Sequence, residues 1–170
     1  MVEISQELQL LIPPNGYLLT GRGESRELLS NLTPGSLLKL DNYYNEAWQE
    51  HEIVTALGAG PRLLKNGEVH INGEEEKFQP DILYGKAPRS GLGITADNRL
   101  VMVSVDGRQP ELSVGVTLKE LAEILKSYGA QDALNLDGGD STRMVIRWFT
   151  ANKPRQERLI ANGILIKFAD

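Results

Sequence analysis

The segment from Thr117 to Gly129 specifies both ends of a helix. Thr117 and Glu120 match a capping box, in which each side chain bonds the other residue's backbone amide, and Gly129 stands where a helix commonly ends in glycine. Four apolar residues recur at the spacing of one helix face: Leu118, Leu121, Ala122 and Leu125. The pattern predicts an amphipathic helix near 118–128 with one buried face.

Alternating apolar and polar residues flank this helix on both sides. The stretch "VMVSVD" ends at Asp106 and the stretch "ALNLD" ends at Asp137, and each is typical of a β-strand. A strand, a helix and a second strand in this order predict a βαβ unit. We expect its two strands to be parallel neighbours joined by a right-handed crossover.

Shorter signals organise the rest of the chain. The N-terminal part predicts three elements: a strand near 17–20, a helix near 24–32 and a strand near 36–41. Asn66-Gly67 is typical of a β-hairpin turn, and a turn around Asp97-Asn98 joins two further strands. The length predicts a single domain over residues 1–170.

Both predicted strands of the βαβ unit end in polar residues. Strand side chains alternate between faces, so Ser104 and Asp106 share one face of the first strand. Asn135 and Asp137 share one face of the second, and Arg108 joins Asp106 if the extended path continues. If the strands are parallel neighbours, these polar ends meet at the carboxyl edge of the sheet, where open α/β sheets place ligands.

A simpler interpretation of the same residues stays open. Asp106-Gly107 and Asp137-Gly138 are also typical of ordinary turns, in which an aspartate bonds its own backbone. The sequence alone does not separate a shared site from two turns.

The charge distribution favours an anionic ligand. The whole chain carries a net charge of −5, yet residues 138–170 hold six basic residues against three acidic ones. Arginine pairs bidentately with phosphate, and the backbone amides of Gly138 and Gly139 are not shielded by side chains. The acidic total argues against nucleic acid as a partner, no apolar stretch is long enough to span a membrane, and the absence of cysteine excludes thiol chemistry.

Several motifs together resemble the phosphodiester glycosidase family. They are "RSGLGI" (89–94), "VDGR" (105–108), "SVGVTLKELAEILKSYGAQDALNLDGGDST" (113–142) and the spaced residues "NKP", "ER" and "ANGI" between 152 and 164. The resemblance implies an α+β fold with a mixed β-sheet, a βαβ unit and helices packed against the sheet. It also implies hydrolysis of a sugar-1-phosphodiester, such as an N-acetylglucosamine-1-phosphodiester, at the anomeric carbon.

The resemblance carries site roles onto positions of this chain. Asp137 or Asp106 would be the base or nucleophile, and Asn135 would position the sugar. The remaining positions that the resemblance carries over would bind substrate: Arg89, Arg108, Ser141, Arg158 and Asn162. Gly138, Gly139 and Thr142, in the same glycine-rich turn, are further substrate-binding candidates. Within this set Arg89 and Arg108 would hold the phosphate. Retention and inversion stay open, because they depend on the separation of the two carboxyl groups.

This chain departs from the family pattern in two respects. Asp140 stands where family members commonly have a third glycine, and it adds a carboxylate beside the expected phosphate site. Nothing before residue 12 resembles the N-terminal block of the family, so we expect a truncated phosphodiester glycosidase-like domain. The resemblance further implies an extracytoplasmic or secreted parent protein.

Other functions remain open from the sequence. The chain is either an active hydrolase or an inactive module that binds an anionic glycan or a phosphate-bearing ligand. No cofactor is expected, with a divalent cation held by Asp106, Asp137 and Asp140 as the weaker alternative. An exposed edge of a truncated sheet would favour pairing between copies, and so a homo-oligomer.

Overall fold

The computed structural model of the chain describes residues 11–12, 14–39 and 56–167. The chain divides into two compact units, Met1–Val54 and Thr55–Asp170, and each is described by itself.

The described part of the first unit contains one helix. Helix α1 spans Glu24–Ser30, which confirms the predicted helix, and a turn follows in which Ser36 N donates to Thr33 O over 2.9 Å. Residues 17–20 and 36–39 form no strand, and residues 40 and 41 lie outside the described residues. Both strand predictions relied on apolar composition, and no strand among the described residues of this unit is available for pairing.

A five-stranded sheet and two helices form most of the second unit. The strands are β1 (Arg62–Lys65), β2 (Glu68–Val69), β3 (Arg89–Thr95), β4 (Leu100–Val105) and β5 (Ala130–Asn135). Helix α2 spans Pro80–Tyr84 and helix α3 spans Leu118–Ser127. After β5 come a 3-10 turn at Gly139–Ser141 and a separate hairpin of β6 (Val145–Ile146) and β7 (Phe149–Thr150). This arrangement confirms the α+β class.

Two of the strand connections were readable from the sequence. Asn66 and Gly67 join β1 to β2, and both have positive φ angles of 51° and 79°, as a tight hairpin turn requires. The turn at Asp97-Asn98 joins β3 to β4, with Asn98 at a φ of 60°. The two predicted hairpins are therefore confirmed.

The predicted parallel pairing of β4 and β5 is wrong. The order of the sheet is β2-β1-β5-β3-β4, so β3 lies between the two strands, and each pairing in the sheet is antiparallel. The tight hairpin already joins β4 to one edge of β3, and β5 pairs with the other edge. Since β4 and β5 are both antiparallel to β3, they run in the same direction about 10 Å apart. Their carboxyl ends therefore still share one edge of the sheet.

Helix α3 covers one face of this sheet. Its four predicted apolar residues are buried, as are the residues beneath them: Leu63, Leu64, Ala130 and Ala133. The capping box forms as predicted, with Glu120 N donating to Thr117 Oγ1 over 3.2 Å and Thr117 N donating to Glu120 Oε2 over 2.7 Å. The hydrogen bond from the Thr117 amide, followed by that from Lys86, lowers the pKa of Glu120 to about 2.

The opposite face of the sheet leaves apolar side chains in solvent. Leu100, Met102 and Leu134 are 55%, 44% and 39% exposed. Strand β4 also ends the order of strands at one edge. The homo-oligomer stays a prediction. Among the described residues, none of the helices is both long and apolar enough to span a membrane.

Truncating a buried leucine of α3 should test the core directly. Leu121 is fully buried, so Leu121→Ala should lower the free energy of unfolding by about 2–5 kcal/mol through lost burial and an unfilled cavity. Leu100→Ala, the same change at a half-exposed position, is the matched control and should cost about 0.5 kcal/mol. Urea unfolding followed by circular dichroism measures both. Equal losses would contradict this packing.

Candidate functional site

Two Asp-Gly turns meet the beginning of β3 from its two sides. Asp106-Gly107 follows β4 and Asp137-Gly138 follows β5. A Cβ atom at Gly107 would lie 2.6 Å from the Pro88 nitrogen, and one at Gly138 would lie 2.9 Å from the Pro88 oxygen. Side chains at these glycines would collide with backbone, so both turns depend on glycine to reach Pro88.

The Asp106 carboxylate anchors a distant loop. Lys153 N donates to both Asp106 oxygens at 2.9 Å, and Asn152 Nδ2 donates to Oδ1 at the same distance. The backbone oxygen of Asp106 accepts a further hydrogen bond from Ser113 Oγ at 2.6 Å. Asp106 therefore joins the end of β4 to residues that are more than forty positions away.

Asn152 was not identified from the sequence, although it connects three segments. Its Nδ2 donates to Asp106 Oδ1 and, at 3.1 Å, to Thr142 O. Its Oδ1 accepts from Met144 N at 2.8 Å. The only sequence signal was its place before Lys153-Pro154 in a motif, because none of its three partners is adjacent in the chain.

Asn135 and Asp137 do not share one environment as predicted. Strand β5 ends at Asn135, so the alternation does not continue to Asp137. Asn135 is 5% exposed and its Nδ2 donates to Gly60 O at 2.8 Å, while its Oδ1 is buried without a hydrogen-bond partner in the described structure. Asp137 is exposed, and its Oδ1 accepts from Gly138 N at 2.9 Å.

The amides of the glycine pair already have acceptors. Gly138 N donates to the Asp137 side chain, and Gly139 N donates to Pro88 O at 2.8 Å. The turn continues with Ser141 N donating to Gly138 O at 3.1 Å and Thr142 N donating to Gly139 O at 3.2 Å. The bare-amide cradle considered from the sequence is therefore absent from this turn, and an anion here would depend on side-chain cations.

Arg89 is buried and directed toward backbone oxygens. It is 4% exposed, its Nη2 donates to Ile82 O at 2.7 Å and to Gly85 O at 2.8 Å, and its Nε donates to Val116 O at 3.3 Å. Burial, and then the nearby charge of Arg108, lower the pKa of Arg89. Arg89 thus fixes the end of α2 beneath the site and adds positive charge to it.

A second group of charges surrounds Asp140. Arg108 does not continue an extended path, since its φ is 56°, and its guanidinium instead lies against Gly139. Arg108 Nη1 is 3.7 Å from Asp140 Oδ1. Arg155 Nη2 and Gln156 Nε2 donate to Asp140 Oδ2 at 2.9 Å and 2.7 Å. Asp140 therefore faces cations from two segments rather than open solvent.

The other predicted substrate-binding residues divide into buried and exposed positions. Ser141 and Thr142 are 8% and 1% exposed, and the Thr142 hydroxyl lacks a hydrogen-bond partner in the described structure. Arg158 and Asn162 are exposed, and Arg158 contributes to the charge felt by Asp140. The structure thus brings Arg158 into the electrostatic surroundings of the turn.

The three aspartates considered as metal ligands do not form a metal site. Within residues 11–12, 14–39 and 56–167, no three acidic or histidine side chains are arranged to hold a metal ion. Asp106 is committed to the loop at Asn152, and Asp140 is committed to Arg155 and Gln156.

The space between these turns is small. A hollow of about 150 Å³, too narrow for a water molecule, is lined by residues that include Asp106, Gly139, Thr142 and Asn152. A larger open depression, with an empty volume of about 870 Å³, lies along α3 and contains none of the predicted site residues. We place the candidate site at the turns because charged and polar groups converge there, and a ligand would have to widen the hollow or bind at its rim.

The α+β fold agrees with the fold class that the sequence resemblance implies. The phosphodiester glycosidase family model matches residues 1–167, and the chain belongs to this family.

The relatives are distant and much longer than this chain. The chain is 27% identical over 158 residues to the Bos taurus N-acetylglucosamine-1-phosphodiester alpha-N-acetylglucosaminidase, covering 88% of this chain and 26% of that protein. It is 31% identical over 87 residues to an uncharacterized SPbeta prophage-derived protein of Bacillus subtilis, covering 50% of this chain and 13% of that protein. The chain therefore spans about a quarter of the length of the first relative.

Part of the chain is also similar to a solved structure. The zebrafish N-acetylglucosamine-1-phosphodiester alpha-N-acetylglucosaminidase catalytic domain, auto-inhibited by its pro-peptide, is 28% identical with a TM-score of 0.49. The comparison covers 55% of this chain and 33% of that one.

Removing the Asn152 side chain should loosen the site without touching its charges. Asn152→Ala leaves three hydrogen bonds unmade and should lower the free energy of unfolding by about 1–3 kcal/mol. Asn162→Ala, the same change at an exposed position, is the control and should stay within about 0.5 kcal/mol of the parent. Chemical denaturation measures both. An unchanged free energy of unfolding in Asn152→Ala would exclude a stabilising role for the Asn152 hydrogen bonds.

Proposed function

We propose that this chain hydrolyses a sugar-1-phosphodiester at the anomeric carbon and releases the sugar and a phosphomonoester. Membership of the phosphodiester glycosidase family supports the reaction class. The names of the relatives point to N-acetylglucosamine as the sugar. An extracytoplasmic location of the parent protein stays a prediction.

Asp137 is the better carboxylate for the reaction. It is exposed, and in the described structure its recorded hydrogen bond is the one from Gly138 N to Oδ1. Asp106 instead accepts three hydrogen bonds from Asn152 and Lys153, which occupy its oxygens and restrict its movement. We therefore assign the base or nucleophile role to Asp137 and a positioning role to Asp106.

The reaction places little demand on a general acid. The bond between the anomeric carbon and the phosphate oxygen breaks, and its electron pair leaves with the phosphate. If Asp137 acts as base, it takes a proton from the water whose oxygen bonds to the anomeric carbon. If it acts as nucleophile, its oxygen bonds to the anomeric carbon as the phosphate leaves. Water then attacks the same carbon, displaces the carboxylate and loses its proton to solvent. A phosphomonoester has a second pKa of about 6, so it leaves without needing a proton at neutral pH.

Cationic side chains would hold the departing phosphate. Arg108 is the leading candidate, because its side chain is 48% exposed and its guanidinium lies over the Gly138-Gly139 turn next to Asp137. Arg155 is 47% exposed on the other side of Asp140. Arg89 supports them from below by its charge, since its own donors face backbone oxygens. Such fixed cations are worth most where charge develops on the leaving oxygen.

Sugar contacts are assigned to Asn135, Ser141 and Thr142. All three are buried, so they would reach sugar hydroxyls only when the hollow opens. The unpaired oxygens of Asn135 and Thr142 are the groups that a sugar hydroxyl would satisfy.

The observation that carries the proposal is the exposed Asp137 carboxylate beside a turn that Arg108 covers. Asp137→Asn keeps the shape of the side chain and should reduce kcat/KM by about 100-fold or more, the scale of a lost acid–base group. The substrate is the methyl phosphodiester of N-acetylglucosamine, and released sugar is measured. Asp132→Asn, at an exposed residue within β5, is the matched control and should retain the parental rate. Unchanged hydrolysis by Asp137→Asn would exclude the assignment.

An inactive binding module is the second candidate. The narrow hollow favours it, because a chain with this site closed would hold an anionic glycan only at the rim. Saturable binding in calorimetry with no released sugar, from the parental chain and Asp137→Asn alike, would support binding over catalysis.

A further inference from the structure

The Asp140 carboxylate is surrounded by the side chains of Arg108, Arg155 and Gln156. Asp140 is 12% exposed, and its Oδ2 accepts hydrogen bonds from Arg155 and Gln156 at 2.9 Å and 2.7 Å. Its Oδ1 lies 3.7 Å from Arg108 Nη1 and is buried without a hydrogen-bond partner in the described structure. An internal carboxylate therefore occupies the space between two partly exposed guanidinium groups.

This carboxylate keeps its charge at neutral pH. The hydrogen bond from Arg155 lowers the pKa of Asp140, and the charges of Arg155, Arg108 and Arg158 lower it further against the opposing effect of burial. Protonation is favoured only below the ordinary aspartate range. Asp140 is thus a fixed negative charge in a cationic cluster throughout the physiological range.

The carboxylate is held in place by the turn that bears it. Asp140 lies inside the 3-10 turn Gly139–Ser141, which Thr142 N closes onto Gly139 O at 3.2 Å. A Cβ atom at Gly139 would lie 3.2 Å from Arg108 Nη1, so the cation lies against the same turn. An anion that binds Arg108 cannot avoid the field of Asp140 unless the turn opens.

We propose that Asp140 shifts the preference of the cationic site away from doubly charged phosphomonoesters and toward singly charged phosphodiesters. The inference rests on the proposed function only in taking a phosphate ester as the ligand. The arginines attract the doubly charged monoester more strongly than the diester, and Asp140 offsets part of this difference because it repels two negative charges more strongly than one. The same repulsion would help the monoester product to leave after hydrolysis.

The distances set the size of the expected change in ester affinity. Two unit charges several ångströms apart near a protein surface interact by an amount that changes a binding constant by about tenfold or more. Removing the Asp140 charge should therefore improve monoester binding about tenfold more than diester binding.

Two small probes separate charge from shape. Methyl phosphate has a second pKa of about 6 and is almost entirely a dianion at pH 8, whereas dimethyl phosphate carries one charge at every pH from 5 to 8. Calorimetric titration of each probe into the parental chain, Asp140→Asn and Asp132→Asn gives the affinities. Asp132→Asn removes the same charge from an exposed residue of β5 and controls for net charge.

Asp140→Asn should bind methyl phosphate about tenfold more tightly relative to dimethyl phosphate, and Asp132→Asn should leave this ratio unchanged. An unchanged ratio in Asp140→Asn, equal gains for both probes, or failure of Asp140→Asn to bind methyl phosphate would overturn the proposal.

A second substitution covers the case in which Asp140→Asn fails to fold. Asp140→Ser also removes the negative charge, and it should raise the affinity for methyl phosphate about tenfold relative to that for dimethyl phosphate. An unchanged affinity ratio in folded Asp140→Ser would overturn the proposal. Neither test needs turnover, so the failure of hydrolysis by this chain and the failure of charge selectivity are separate results.

Discussion

The close contact of two Asp-Gly turns with Pro88 holds the candidate site together. A side chain at Gly107 would meet the Pro88 nitrogen and Gly115 Cα, and one at Gly138 would meet the Pro88 oxygen. The two strands that carry these turns are separated by β3, so the strands do not pair with each other. Pro88, at the start of β3, is the common surface that sets the spacing of Asp106 and Asp137.

The three aspartates near these turns differ in their hydrogen-bond partners and in their exposure. Asp106 bonds the loop at Asn152 and Lys153, and Asp140 bonds Arg155 and Gln156. Asp137 remains the exposed member. In a cluster where cations already have internal partners, an exposed carboxylate is the one able to meet a substrate, and the paired ones shape the field around it. The chain belongs to the phosphodiester glycosidase family, and Asp140 places a negative charge inside the cationic cluster.

Local signals in the sequence predicted individual helices and hairpins correctly, but they did not predict which strands lie side by side in the sheet. The capping box and apolar face identified α3, and Asn66-Gly67 identified a hairpin, because both depend on residues within a few positions of each other. The order of strands depends on which edge of β3 is free, and alternation alone could not show that β5 takes that edge.

The same limit applies to the site. Alternation brought Asp106 and Asp137 to one edge, but it could not show that Asn135 turns to Gly60, or that Arg89 turns to the carbonyls of α2. Asn152 and Arg155 were missed because their partners lie eight or more positions away in the chain. Pairings of this kind are decided by tertiary packing, which a single sequence does not display.

The central claim is that both Asp-Gly turns touch the start of β3 in one molecule. Proton NMR of the labelled chain tests it through cross-relaxation between the glycine α-protons and protons of Pro88 and Arg89. The account predicts two signals in the same spectrum, one between Gly107 and Pro88 and one between Gly138 and Arg89, since these backbone segments approach closely. Observation of strand pairing within the sheet but neither of these signals would contradict it.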